Sequence, residues 1–192
     1  MRIVCFSDTH DAFRGVPVPH GDLLLHGGDL SRRGVVEEVL ASAEWLRSLP
    51  HRHKLVIAGN HDFCLEQQDP RSLLQGLRYL QDESCEIEGL RVYGSPWSPA
   101  HGLWSFQAER GEPLRKIWQQ IPDNTQILIT HGPPRGILDR HVSGRPLGCE
   151  QLRERVLQVK PLLHLFGHVH ESHGSHRQDG TLFVNACNCS FG

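Results

Sequence analysis

The sequence predicts an α/β fold, and three observations carry that reading. Short apolar runs recur along the chain, most of them near-continuous rather than alternating, as in strands covered on both faces. Longer amphipathic stretches, with one apolar stripe at helical spacing, stand between them. The two signals alternate, which is the order of an α/β layer structure. At 192 residues the chain suits one domain with a real core and is too short for two generous ones. No linker, repeat or low-complexity segment divides it, so residues 1–192 are expected to form a single domain.

Taken in order, the strand candidates are "RIVCFS" from Arg2, "DLLLHG" from Asp22, "KLVIAG" from Lys54, "LRVYGS" from Leu90, "QILITH" from Gln126, "LLHLFG" from Leu162 and "TLFVNA" from Thr181. The clearest helix runs from Val35 to Leu49, with Val36, Val39, Leu40, Ala43 and Leu46 on one stripe. Further helices are expected over 71–80, over 112–120 just after Gly111, and over 149–159 ahead of Pro161. Two long loops, 95–110 and 132–148, are rich in Gly and Pro, and loops of that length in compact domains are often functional.

Composition narrows the function classes. The chain is 38% hydrophobic and 22% charged, with a formal net charge of -2. There is no basic excess or Lys/Arg block to hold extended nucleic acid, whereas a small phosphate ester remains a candidate partner. The opening "MRIVCFSDTH" has too few apolar residues for a signal-peptide core, and no apolar run approaches the ~20 residues of a membrane span, so a cytoplasmic protein without a membrane partner is expected. Cysteines stand at 5, 64, 85, 149, 187 and 189 without a CxxC pair; Cys187 and Cys189 are too close to bridge relaxed, and reduced thiols are expected. Histidine is in surplus, 14 residues against 2 tyrosines, and that surplus directs attention to metal.

The unusual polar residues sit where strands finish. "CFSDTH" ends in Asp8 and His10, "LLLHGGD" in Asp29, "VIAGNHD" in Asn60 and His61, "ILITH" in His131, and "LHLFGHVH" in His168 and His170. Each fragment alone has an ordinary reading: Asp8 as a turn cap, Gly-Asp as turn chemistry, His131 as a loop histidine. Together they place oxygen and nitrogen donors at five strand ends, and crevices in open α/β sheets form outside the carboxyl ends of strands. Two Asp, one Asn and four His exceed one tetrahedral zinc site and suit two adjacent ions sharing a carboxylate. The mixed donor set suits Mn, Fe, Zn or Co. His26 reads as a core histidine or a donor behind the ligands, and His51 and His53 as solvated.

The blocks "DTH", "GGD", "GNHD", the "TH" of "ILITHGPP" and "GHVH" resemble, in order and approximate spacing, the calcineurin-like metallophosphoesterase family, over Asp8 to His170. "YGSPWSP" and "THGPPRGILD" are similar to its small metallophosphoesterase-domain proteins, some of which hydrolyse cyclic nucleotides. Asp62 departs from the pattern, standing where many relatives carry glutamate, and the chain ends soon after "FVNA". The resemblance implies a four-layer αββα sandwich of two mixed β-sheets. It implies that Asp8, His10 and His170 hold one divalent or trivalent transition-metal ion, that Asp29 bridges, and that Asn60, His131 and His168 hold a second.

The implied activity is hydrolysis of a small, nucleotide-like phosphodiester by a hydroxide that the two ions generate. A phosphomonoesterase and a non-catalytic scaffold are the alternatives. His61 is expected to lean over the phosphate as acid or charge stabiliser, with Asp62 either orienting it or closing a surface turn. Trp97, with Trp104 and Phe106, either stacks on a nucleobase or packs beneath its loop, and Arg135 is a candidate contact for phosphate or base.

Overall fold

The computed structural model describes residues 1–188. Its first sheet consists of β1 (Ile3–Phe6), β2 (Leu23–His26), β3 (His53–Val56) and β4 (Arg78–Tyr79), in that order and all parallel. The second sheet is built from β5 (Glu83–Ile87), β6 (Leu90–Ser95), β9 (Ile127–Thr130), β10 (Leu163–Phe166), β11 (Gly174–Gln178) and β12 (Thr181–Asn185). Its strand order is β11-β12-β10-β9-β6-β5, with the inner four parallel and the two edges antiparallel. A short parallel pair, β7 (Ser98–Pro99) with β8 (Gln107–Ala108), closes the base of a loop between β6 and β9.

The near-continuous apolar runs are explained by this stacking, because their strands face partners on both sides. Leu23, Leu25 and Leu55 of the first sheet pack directly against Ile127, Ile129, Leu163 and Leu165 of the second. The alternate residues Val4, Phe6, Leu24 and Val56 turn outward. They meet Val39, Ala43 and Leu46 of α1 (Val36–Ser48), Leu65 of α2 (Phe63–Gln67) and Leu73 of α3 (Pro70–Leu73). Tyr93, Leu128, Phe166 and Phe183 turn to the far side, onto α4 (Glu112–Trp118) and α5 (Glu150–Val159) through Leu114, Trp118, Leu152 and Val156. The result is the helix–sheet–sheet–helix sandwich that the resemblance implied.

The helix expected over 71–80 is shorter than its pattern. Only Pro70–Leu73 is helical; the chain then turns at Gly76 (φ 86°) and enters β4 to pair with β3. Leu73, Leu74 and Leu77 pack into the α1 side of the core, so helical spacing of the leucines reported a buried face rather than a continuous helix. The edge strands β5 and β11 carry few buried residues and gave no apolar run to read. His51, expected in solvent, is buried with Nε2 on the Pro19 carbonyl at 3.1 Å. Among the described residues the cysteines are free thiols, and Cys189 lies outside them.

Because β1, β2, β3, β9, β10 and β12 are parallel within their sheets, their carboxyl ends share one edge. Pairings Phe6–His26, His26–Val56 and Phe166–Asn185 set those ends level. That edge carries the candidate site.

Candidate metal centre and active-site cleft

Asp8 and His10 follow β1, Asp29 follows β2, Asn60 and His61 follow β3, His131 follows β9, and His168 and His170 follow β10. Asp8, His10, Asp29 and His168 have φ of 55, 44, 55 and 68°, in the left-handed region that non-glycine residues seldom occupy. Such strain persists where surrounding structure enforces it, and it clusters at sites that aim side chains for a purpose. Two glycines bring the backbone in close. A Cβ on Gly59 would stand 2.3 Å from Asp29 Oδ1 and 2.6 Å from His131 Cε1, and one on Gly167 would stand 1.9 Å from Asp8 Oδ2.

The side chains converge. His170 Nε2 lies 3.1 Å from Asp8 Oδ1 and 3.3 Å from His10 Nε2. Asp29 Oδ2 lies 3.6 Å from His10 Nε2 and 3.5 Å from His131 Nε2, between the two halves of the cluster. His131 Nε2 and His168 Nδ1 both approach Asn60 Oδ1, at 2.8 and 2.7 Å. Asp8 Oδ2 is held from behind by the Ser7 hydroxyl at 2.5 Å, the Cys187 thiol at 3.2 Å and the His168 amide at 3.0 Å.

The donor chemistry fits a cation. His131 Nδ1 donates to the Gly27 carbonyl at 2.9 Å, so its Nε2 lone pair faces the Asn60 carbonyl oxygen, acceptor against acceptor. His10 Nδ1 sits 3.1 Å from the Ser31 carbonyl and likewise leaves Nε2 facing His170 Nε2. Buried acceptors held at these distances need positive charge between them, from a proton or a metal ion. The electrostatics agree. Burial disfavours a charged His131, yet the charge and hydrogen bond of Asp29 lift it to about 10. Burial likewise opposes ionised Asp29, and His131 still brings it down to about 2. Asp8 also sits well below the usual carboxylate range, because the hydrogen bond from His170 and the nearby imidazoles outweigh its burial. Burial pushes His168 down to about 3, the neutral form a ligand requires.

His61 stands beside this cluster. Its amide donates to Asp29 Oδ1 at 2.8 Å and its Nδ1 to the Arg32 carbonyl at 2.8 Å. Asp62 closes the turn after β3, accepting from Gly59 N and donating its own amide to the Gly59 carbonyl, and it does not orient the His61 ring. It is fully buried rather than in a surface turn, and its carboxylate accepts from Leu30 N, Ser31 N, Ser31 Oγ and Gly59 N, not from the His61 ring. Burial and then the charge of Asp29 push Asp62 up to about 6, against the hydrogen bonds from Ser31 and Gly59.

A cleft of 710 Å³ opens over the cluster, lined besides the cluster by Pro99, His101, Trp104, Arg110, His141 and Arg145. It decides between the two readings of Trp97 and corrects that of Arg135. Trp97 does not line the cleft; its indole donates to Asp82 at 2.7 Å and packs near Phe106 in the core, and Trp104 is the tryptophan at the opening. Arg135 does not line the cleft and is held on the Pro146 carbonyl and Glu150, each at 3.2 Å; Arg110 and Arg145 are the arginines of the lining, with the Arg110 guanidinium tied to Glu150 and the Leu147 and Gly148 carbonyls. Cys187 behind Asp8 was missed, although it follows the strand "TLFVNA" and the rule of strand ends applied to it equally. His26 is a buried neutral histidine, pushed by burial down to about 4, with Nε2 3.2 Å from Thr9 Oγ1.

Comparison with known proteins fits this geometry. A family model for calcineurin-like phosphoesterases matches residues 1–172. The chain is 39% identical over 216 residues to metallophosphoesterase domain-containing protein 1 of Homo sapiens, covering 98% of this chain and 66% of that protein. It is 37% identical over 208 residues to a UPF0046 protein of Caenorhabditis elegans, covering 100% of this chain and 71% of the other. The solved structure of a phosphopantetheinyl hydrolase from Mycobacterium tuberculosis superposes with a TM-score of 0.63 at 14% identity, over 97% of this chain and 88% of that one, which is a likeness of fold. No helix among the described residues is long and apolar enough to cross a membrane. Candidate metal-ligating side chains at strand ends, the sandwich beneath them and the family match together place this chain in the calcineurin-like phosphoesterase family, whose chemistry is metal-dependent phosphoester hydrolysis.

Proposed function

We propose that this chain, acting as one domain, is a dinuclear phosphodiesterase for a small, nucleotide-like ester. The observation that carries the reading is the position of Asp29 Oδ2, 3.6 Å from His10 Nε2 and 3.5 Å from His131 Nε2, where one carboxylate reaches both halves of the cluster. In this reading Asp8, His10 and His170 hold one transition-metal ion, Asn60, His131 and His168 hold the other, and Asp29 bridges them. When bound, such a pair supplies Lewis acidity, acidifying water and offsetting charge on phosphoryl oxygens.

The protein's own groups do the rest. Gly27 and Ser31 carbonyls fix the tautomers of His131 and His10, so each presents Nε2. Ser7, Cys187 and the His168 amide hold Asp8 so that Oδ1 faces His170 and His10. The neutral amide of Asn60 adds no charge where the substrate is anionic. His61 keeps its Nδ1–H on the Arg32 carbonyl, and as the imidazolium it carries a second proton on Nε2 that passes to the leaving oxygen, which returns the ring to its neutral Nδ1–H form. The 710 Å³ cleft, which Trp104 and Arg145 help to line, is of a size for a small organic diester.

The test is metal analysis coupled to a phosphoester panel that includes bis-aryl and mono-aryl phosphates. The expected result is bound transition metal, Mn-stimulated turnover and preference for the diester. Preference for the monoester would overturn the diester reading. A chain with neither metal nor turnover would be a scaffold. His61→Ala is expected to keep its metal and lose at least about 100-fold in turnover.

A further inference from the structure

We infer that Trp104 is a positioning residue for His61, acting through ring contact with its imidazole and not through the substrate. The role rests on the phosphoesterase reading for His61. Trp104 approaches the His61 ring at 4.3 Å between centroids and 36° between planes, so it covers a face of the imidazole. His10 meets the same ring edge-on at 4.6 Å and 79°. With Nδ1 tied to the Arg32 carbonyl at 2.8 Å, the ring is fixed by one hydrogen bond and two ring contacts.

The loop that delivers Trp104 is stitched to the segment that carries His61. Ser105 donates to the Asn60 carbonyl twice, from its amide at 3.1 Å and its hydroxyl at 2.8 Å. Phe106 N donates to Glu66 Oε1 at 3.0 Å, and Phe63 meets Trp104 in a tilted ring contact at 5.9 Å. Three consecutive residues therefore track the Asn60–Glu66 segment, and the β7–β8 pair closes the loop behind them. Trp104 itself is 39% exposed at the cleft mouth, a position where a large aromatic ring has few packing partners other than these. A histidine at an open cleft with a single hydrogen bond retains rotamer freedom. The indole removes it, and a misplacement of about 1 Å at a reacting group costs on the order of 100-fold in rate.

The experiment compares wild type, Trp104→Ala, Trp104→Phe, His61→Ala and the Trp104→Ala/His61→Ala double variant, on aryl and alkyl phosphodiesters. Metal content is checked throughout. Trp104→Ala is expected to lower kcat at least about tenfold on esters with poor leaving groups while KM changes little, and Trp104→Phe to recover most of the loss. The double variant is expected to lose no more than His61→Ala alone. A second arm reads the ring without substrate. NMR of the zinc-loaded chain is expected to show a slowly exchanging His61 Nδ1–H in wild type and Trp104→Phe, and none in Trp104→Ala. A rise in KM for aryl esters at unchanged kcat, losses that multiply in the double variant, or a retained Nδ1–H in Trp104→Ala would each overturn the assignment. A wild type without turnover would sink the phosphoesterase reading instead, and the NMR comparison would then decide the positioning role alone.

Discussion

Asp62 and Ser31 are joined twice: one carboxylate oxygen accepts from the Ser31 amide at 2.9 Å and from its hydroxyl at 2.7 Å. The other oxygen accepts from Leu30 N and Gly59 N, so a single buried side chain ties the turn after β3 to the loop that carries Asp29. Asp62→Ala would leave those donors buried without partners. It is expected to lower stability by about 3 kcal/mol in urea denaturation and to weaken metal binding at the same time. A variant with wild-type stability would show that water replaces the carboxylate there.

Asp29 Oδ2 lies within 3.6 Å of His10 Nε2 and 3.5 Å of His131 Nε2, one from each histidine set, and Asp29 Oδ1 receives the His61 amide. Asp29→Asn is expected to lose metal and turnover together. Excess Zn should raise the unfolding temperature of wild type and leave the variant unmoved, since a ligand stabilises only the state that binds it. Full metal content with no activity would remove Asp29 from the ligand set.

Gly167 admits no side chain. A methyl there would meet Asp8 Oδ2 at 1.9 Å and Ser7 Oγ at 2.1 Å. Gly167→Ala is expected to displace the Asp8 carboxylate and weaken metal affinity roughly 10- to 100-fold by calorimetry. Unchanged affinity would mean that the loop after β10 yields without disturbing Asp8.

His164 gives the fold an acid-sensitive point outside the cleft. It lies fully buried beside Phe166 and Phe183, with Nε2 2.9 Å from Thr130 Oγ1, and burial pushes it from 6.5 down to about 3. Between those values only the unfolded chain takes up the proton, so stability is full above about pH 6.5 and falls as pH drops toward 3. From pH 7 to 4.5 the loss from this group is roughly 2 kcal/mol. His164→Gln keeps the side-chain donor for Thr130 and is expected to flatten that slope, measured by urea titration across the same range.

Much of this was readable because two independent regularities coincided. Apolar runs such as "LLLHG" and "ILITH" mark strands buried on both faces, and their polar tails mark the edge where such strands stop. The residues misjudged are those whose role depends on a partner far away in sequence. Asp62 faces Ser31, 31 residues distant, and nothing local separates that from a turn aspartate. Trp97 and Trp104 share one loop, and only the pairing of β7 with β8 decides which faces inward. Arg135 stands four residues after His131, and its contacts with the Pro146 carbonyl and Glu150, 11 and 15 residues further on, are not written in that local stretch. Strands β5 and β11 sit at sheet edges with little to bury, so hydrophobic pattern could not announce them.

His10 belongs to one sheet and His170, 160 residues later, to the other, and the same division separates Asn60 from His131 and His168. The cluster is thus a gauge of alignment between two slabs whose apolar contact runs through Leu23, Leu25, Leu55 and the isoleucines and leucines opposite them. A slip of one slab over the other by an ångström would part His10 from His170 and Asn60 from His131 and His168 at once. The oily seam, which carries no chemistry of its own, sets the spacing on which the chemistry depends.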